Sequence, residues 1–215
     1  MRTLITLLAT VFIMFSQANA QEKPLPLEEI QKVASEALVT FNELVTKENY
    51  TVMGFESLSE VRAASLGEHL RVFMVRLDQL QKYQPGSDPN KILSGGDLVI
   101  YPVTVEEQVR SSIVVAKAKE RWNATSFGGS NQVKMLTKVR KADSDSTGLP
   151  ISSYFVVRVP SLNLYFIAHR ADEVLMLTPL LDDPSYGFKA GFTMPADKVF
   201  EAILPAAKRH DGLPR

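Results

Sequence analysis

The 215-residue chain has no cysteine. That absence excludes disulfide frameworks, thiol nucleophiles, thiolate metal sites and an N-terminal lipid-bearing cysteine. Histidine is nearly as scarce. His69, His169 and His210 form no HExxH or HxH pattern and no i, i+4 pair that would seat zinc on a helix. Only a zinc site gathered from distant histidines and carboxylates stays open, and the sequence calls for no metal and no cofactor. No G-x-S-x-G elbow and no GxxxxGK[ST] phosphate loop occurs. Neither sign of charge is in excess, with 24 basic and 24 acidic residues, so no global attraction to nucleic acid or anionic membrane is expected. Beyond residue 20 no apolar run approaches the roughly 20 residues that span a bilayer.

Residues 1–20 read as a signal peptide. Arg2 is the basic start, Leu4 to Phe15 the compact apolar stretch, and Ala18-Asn19-Ala20 the small-residue cleavage site. Cleavage there removes Arg2 and no acid, leaving 23 basic against 24 acidic residues. Export without disulfides fits a bacterial periplasm or medium better than a eukaryotic secretory route. The expected mature chain, 21–215, is long enough to bury one core and is read as a single α+β domain, with a C-terminal helix and mobile tail over 195–215.

From Leu27 the apolar residues recur at three and four, through Ile30, Val33, Ala37, Leu38, Phe41 and Leu44, the stripe of an amphipathic helix. Tyr50 to Phe55 is expected to be a short strand. Ser57 to Glu60, "SLSE", matches a capping box, with Gly67 placed to stop the short helix that follows. Arg71 to Leu77 reads as a central strand covered on both faces. The stretch "QPGSDPNKILSGGD" reads as the longest loop. Leu98 to Val105 and Val109 to Lys119 form an expected hairpin, in which Pro102 suggests an edge or a bulge. Val133 to Arg140 is helical in period, and "DSDSTGLP" from Asp143 reads as a linker. Strands at Ile151 to Val159, Leu164 to His169 and Val174 to Leu177 make an antiparallel meander. A last helix begins near Thr193, with Pro205 placed to end or kink it. The predicted architecture is a mostly antiparallel sheet covered by N- and C-terminal amphipathic helices. "VFMVRLDQL" at Val72 and "YFVVRVPSL" at Tyr154 match at four of nine positions, too few among apolar residues to establish a repeat.

Two places are candidates for chemistry. His169 closes the apolar run "LYFIAH" and has the titration range of a general base, which Asp172 or Glu173 would orient only if the fold brought one back to it. The plainer expectation is a strand end reaching a solvated turn, "RADE". The second place is Trp122, the chain's one tryptophan, with Phe127, Gly128, Gly129, Ser130 and Asn131. Glycines before a helix let a ligand approach backbone amides, whereas Ser130 or Asn131 as a helix cap would account for the same residues without a ligand. The lysines from Lys134 to Lys141 read as solvated surface that can steer an acidic partner.

The function that follows is noncovalent binding of a protein, peptide or small ligand in the bacterial envelope, without nucleic acid and without a membrane span. Two alternatives compete with it. One is a cofactor-independent hydrolase built on His169. The other is a structural or inhibitor-type protein, which would show an exposed apolar patch or an unpaired sheet edge.

Overall fold

A computed structural model describes residues 25–212. The expected leader and the last three residues lie outside that range. The chain is α+β: nine strands form one mostly antiparallel sheet, and five α-helices accompany it among the described residues. Helix α1 (Leu27–Leu44) buries Ile30, Ala37 and Phe41 of its predicted stripe together with Ala34, whereas Leu27 and Leu44 at its two ends are exposed. Then come α2 (Leu58–Arg62), β1 (Ser65–Leu66), β2 (Leu70–Val75), α3 (Leu77–Gln81), β3 (Leu93–Val105), β4 (Gln108–Ala118), β5 (Arg121–Gly128) and α4 (Ser130–Thr147). The second half holds β6 (Phe155–Val159), β7 (Leu164–Ala171), β8 (Val174–Pro179), β9 (Met194–Pro195) and α5 (Ala196–Arg209).

The strand order is β5-β4-β3-β2-β6-β7-β8-β9, with β1 added beside β3. Every pairing is antiparallel except β2 with β6, which meet in parallel at Val72↔Val156 and Phe73↔Val157. Each side of that junction has the same plan: a strand, a short helical turn, a three-strand meander and a long helix. The two similar nine-residue segments open these halves, but their matched residues Phe73 and Phe155 lie on one face, so the residue match does not follow the symmetry of the strands. Two like halves that meet through parallel strands are related by a rotation about an axis along those strands, which turns the sheet over. The helices obey this. Alternate residues of one strand face opposite sides: Val72, Val156 and Ile167 join Leu136 of α4, whereas Phe73, Val157 and Phe166 join Val199, Phe200 and Ile203 of α5. Helix α1 shares the α5 face, packing on Val99, Tyr101, Val103, Ile113 and Val115. The sheet is thus covered by α1 and α5 on one side and by α4 on the other.

Several local expectations are corrected. Residues 50–55 form turns, not a strand. The Asn49 side chain bonds Thr46 N and Leu44 O at the end of α1, Phe55 N donates to Tyr50 O, and Gly54 has φ +99°. Ser57 makes no capping bond, and Glu60 accepts instead from Glu56 N at 2.8 Å. Gly67 does not stop that helix; it lies beyond β1 and donates its amide to Pro102 O. Pro102 lies inside the sheet, opposite Ser112, and of its two expected consequences the bulge is present, as a register shift between Val103 and Thr104. β3 starts at Leu93, five residues earlier than predicted, and absorbs Gly95-Gly96 as an irregularity opposite β2. The Arg71 guanidinium lies so close to Gly96 that a β-carbon there would be 2.4 Å from it.

The expected linker at Asp143 is the last turn and a half of α4. Thr147 Oγ1 donates back to Asp143 O, Lys141 pairs with Asp145, and the helix stops at Gly148 with φ +74°. Helix α5 runs through Pro205 to Arg209. Pro205 is on the exposed side of the helix, where water can serve the carbonyl that loses its amide partner.

Three hairpins close through two residues that both take positive φ: Glu106-Glu107, Lys119-Glu120 and Asp172-Glu173, between +46° and +68°. This is the turn whose twist matches antiparallel strands, but it normally takes Asn-Gly. A left-handed non-glycine residue costs about 1–2 kcal/mol. Glu106→Asn with Glu107→Gly is therefore expected to raise stability by about 1 kcal/mol or more. Urea unfolding checks this, and an unchanged midpoint would count against a strained turn.

Candidate functional site

The Trp122 to Asn131 segment is the outermost strand β5 and the start of α4, and the structure divides its residues by role. Trp122 is 6 % exposed and belongs to the core beneath α1. Phe127 stacks on Phe41 of α1, with ring centroids 5.5 Å apart and planes 11° apart. Gly128 is buried and fastened by Ser112 Oγ, which donates to its carbonyl at 2.6 Å. Gly129 holds the cap position of α4 in the left-handed conformation, so neither Ser130 nor Asn131 is the cap. These residues are joined by sequence, but two of the large side chains point into the α1 core. β5 itself pairs only with β4 and is an edge of the sheet.

His169 is a correction. It does not reach water: it is 3 % exposed, on the α4 face of β7, with its ring 5.1 Å from that of Tyr154. The last turns of α4 lie over it. Asp143, itself buried, accepts from Thr178 Oγ1 at 2.5 Å, and Thr178 meets Thr193 at 2.8 Å. Thr147 ties this cluster to the Tyr154 hydroxyl at 2.6 Å. Burial pushes the His169 imidazole below its ordinary value, and the charge of Asp143 opposes that shift. His169 Nδ1 has no hydrogen-bond partner, and neither Asp172 nor Glu173 supplies one. The ring is closed off from the surface, and its Nδ1 has no serine partner among the described residues. The cluster is a polar clasp between α4 and the sheet.

The other charged candidates also serve the fold. Arg140 is not part of the lysine face: it is buried and donates to Glu68 O at 3.0 Å and His69 O at 2.9 Å. Burial lowers its pKa to about 10, against the pull of Glu68. His69 is likewise lowered by burial, with Glu68 opposing. Arg110 binds Glu56 and Glu60 at 2.7 and 2.6 Å. His210 is not in a mobile tail. It caps α5, its carbonyl accepts from Gln81 Nε2, and its side chain is 6 % exposed.

The arrangement best suited to a ligand lies elsewhere, on the other flank of α4. A cleft of about 520 Å³ opens between the N-terminal turns of α4, the β6–β7 turn, β7 and the segment that follows β8. Met135, Leu162, Leu164, Tyr165, Leu180 and Phe188 form its apolar walls, and Leu181 stands at its rim, 62 % exposed. Gln132, Asn163, Asp182 and Asp183 supply its polar groups. Its elements are held firmly. Leu180 N donates to Tyr165 O, Asp183 and Phe188 exchange backbone hydrogen bonds, and the Arg158 guanidinium lies 5.1 Å from the Tyr165 ring. Asp182 Oδ1 accepts from Ala190 N at 2.8 Å and Asp183 Oδ1 from Ser185 N at 3.0 Å, which folds the irregular segment into a rigid wall.

No family model matches this chain, and no curated protein or solved structure matches it. The reading of the site therefore rests on its geometry. A concave, mostly apolar space of a few hundred Å³ with a small number of polar groups is the usual form of a small-ligand or peptide site. Sequence reasoning passed over these residues, because the walls come from three separated segments, 132–135, 162–166 and 179–188. One signal was available: "LDDPSYGFKAGF" has no strand or helix period, yet carries the exposed apolar residues Leu181 and Phe192.

Proposed function

We propose that this chain is an exported, noncovalent binding domain of the bacterial envelope, and that the cleft beside α4 takes the apolar part of a peptide or small ligand. One observation carries this reading: apolar walls from α4, β7 and the 180–188 segment enclose about 520 Å³ with an exposed leucine at the rim. Export rests on the N-terminal leader pattern, and a binding role in preference to a hydrolytic one rests on the burial of His169 and its unpartnered Nδ1. A rigid rim and a preformed space suit reversible association, since little ordering has to be supplied by the ligand.

A titration of the full chain with indole, followed by amide shifts in NMR, tests the reading. The largest shifts are expected at Leu164, Tyr165, Leu181 and Phe188. Leu181→Asp is expected to weaken binding about tenfold, because a leucine side chain contributes roughly 1.5–3 kcal/mol when buried. Its exposed position means the fold should survive, which circular dichroism checks. Shifts scattered over the surface, or none, would remove the cleft from consideration.

A further inference from the structure

The β6–β7 turn is a shared wall. Leu162 and Asn163 line the apolar cleft on one side and, on the other, a second cavity of about 670 Å³. The walls of this second space are mostly apolar by area, but most of its lining residues carry polar side chains. Its lining includes Arg76, Asp78, Ser161, Asn163, Tyr186 and His210. Two of these residues carry buried polar atoms that have no hydrogen-bond partner: Ser161 Oγ and His210 Nε2. Buried polar groups in folded proteins are almost always paired, so two orphans on one cavity need an occupant to serve them. The His210 tautomer follows from its other nitrogen. Nδ1 accepts from Gly212 N at 2.9 Å, which places the proton on Nε2 and makes that atom a donor.

The hydroxyls of Ser161 and Tyr186 and the Asn163 amide can each donate or accept, whereas Arg76 and His210 Nε2 only donate. Ser161, Asn163, Tyr186 and His210 each offer a polar hydrogen. The one acid in the lining, Asp78, is already held by Arg76 Nε at 3.0 Å. In the neighbouring cleft Asp182 and Asp183 each give one oxygen to a backbone amide of their own segment. The two spaces therefore differ in their fixed charges: the cleft carries Asp182 and Asp183, and the second cavity carries the Arg76–Asp78 pair with the unpaired Ser161 Oγ and His210 Nε2.

We propose that the two cavities are compartments of one site, and that the second takes the carboxylate of the ligand whose apolar part fills the first. This rests on the binding reading given above. Ser161 and His210 donate to the carboxylate oxygens, and the guanidinium of Arg76, bridged to Asp78, stands beside them. An aliphatic acid and a peptide C-terminus both present this chemistry.

The test uses five probes on the full chain: octanoate, octanol, octylammonium, and acetyl-Leu-Leu-Phe as the free acid and as the amide. NMR reads affinity together with the His210 imidazole nitrogens. Octanoate or the free-acid peptide is expected to bind about tenfold more tightly than its uncharged counterpart, the effect of one or two hydrogen bonds to a charged group. The same probe is expected to move the Nε2 resonance. A preference in the aliphatic pair alone identifies an acyl acid, and a preference in the peptide pair alone identifies a C-terminus. Ser161→Ala, with or without His210→Gln, should bring the acid down to the affinity of its uncharged counterpart and leave octanol unchanged. Equal affinity for acid, alcohol and amide, a preference for octylammonium, or an unmoved His210 overturns the carboxylate compartment while the cleft stands. Failure of every probe to bind overturns both.

Discussion

Replacing Gly54 with alanine is expected to cost about 4 kcal/mol or more, a large share of the 5–15 kcal/mol that holds a domain folded. Two effects add. Gly54 has φ +99°, which an L-residue adopts only with strain, and an added β-carbon would be 2.0 Å from Arg110 O and 2.7 Å from the Ser130 side chain. The carbonyl belongs to Arg110 of β4, the residue that the register shift between Val109 and Ser111 leaves without a partner on β3, so the clash falls on backbone and not on a flexible side chain. Arg110 is also the residue whose guanidinium holds Glu56 and Glu60, so displacement would loosen the 56–62 segment as well. Gly86 is the control. It has φ +84° with nothing within 4 Å of an added β-carbon, so Gly86→Ala should cost only the backbone strain, about 1–2 kcal/mol. Urea unfolding of the two variants separates the contributions, and equal losses would show that the close approach at Gly54 is unimportant.

Trp122→Ala is expected to lower stability by about 3–5 kcal/mol while indole binding by the folded protein stays unchanged. Trp122 lies in the cluster formed by Ile30, Phe41, Val115 and their neighbours, between α1 and the sheet. Truncating it opens a cavity under α1 whose walls, strands on one side and a long helix on the other, cannot close on it. The prediction separates two roles that the sequence assigned to one residue. Loss of ligand affinity with little loss of stability would return Trp122 to the list of binding residues, and a loss below about 1 kcal/mol would contradict its burial.

Much of the architecture is legible in the order of residues. The stripe of α1, the hairpin-linked strands and the final helix depend on periods of 3.6 and 2, which neighbouring residues set between themselves. The misjudged places share a different cause. Asp143 to Pro150 has the composition of a loop, but Lys141 with Asp145 and Thr147 with the Asp143 carbonyl extend the helix. Residues 50–55 have the composition of a strand, but Asn49 and Gly54 turn the chain before any partner strand is reached. At both positions a side-chain bond within a few residues outweighed composition.

The candidate site was far less legible. His169 looked exposed because a charged turn follows it, and only α4 folding back over β7 covers it with Asp143, Thr147 and the Tyr154 ring. The cleft and the second cavity join residues from 76 to 212, and no local pattern announces walls contributed by separated segments.

The order of residues alone determined the cysteine-free composition, the near balance of charge, the leader pattern and the α+β class, since each depends on content or on short-range period. The tertiary structure decided that His169 is covered, that the one tryptophan is core and that two hollows share a turn. Those outcomes depend on contacts between residues distant along the chain, which exist only once α4 lies across the sheet.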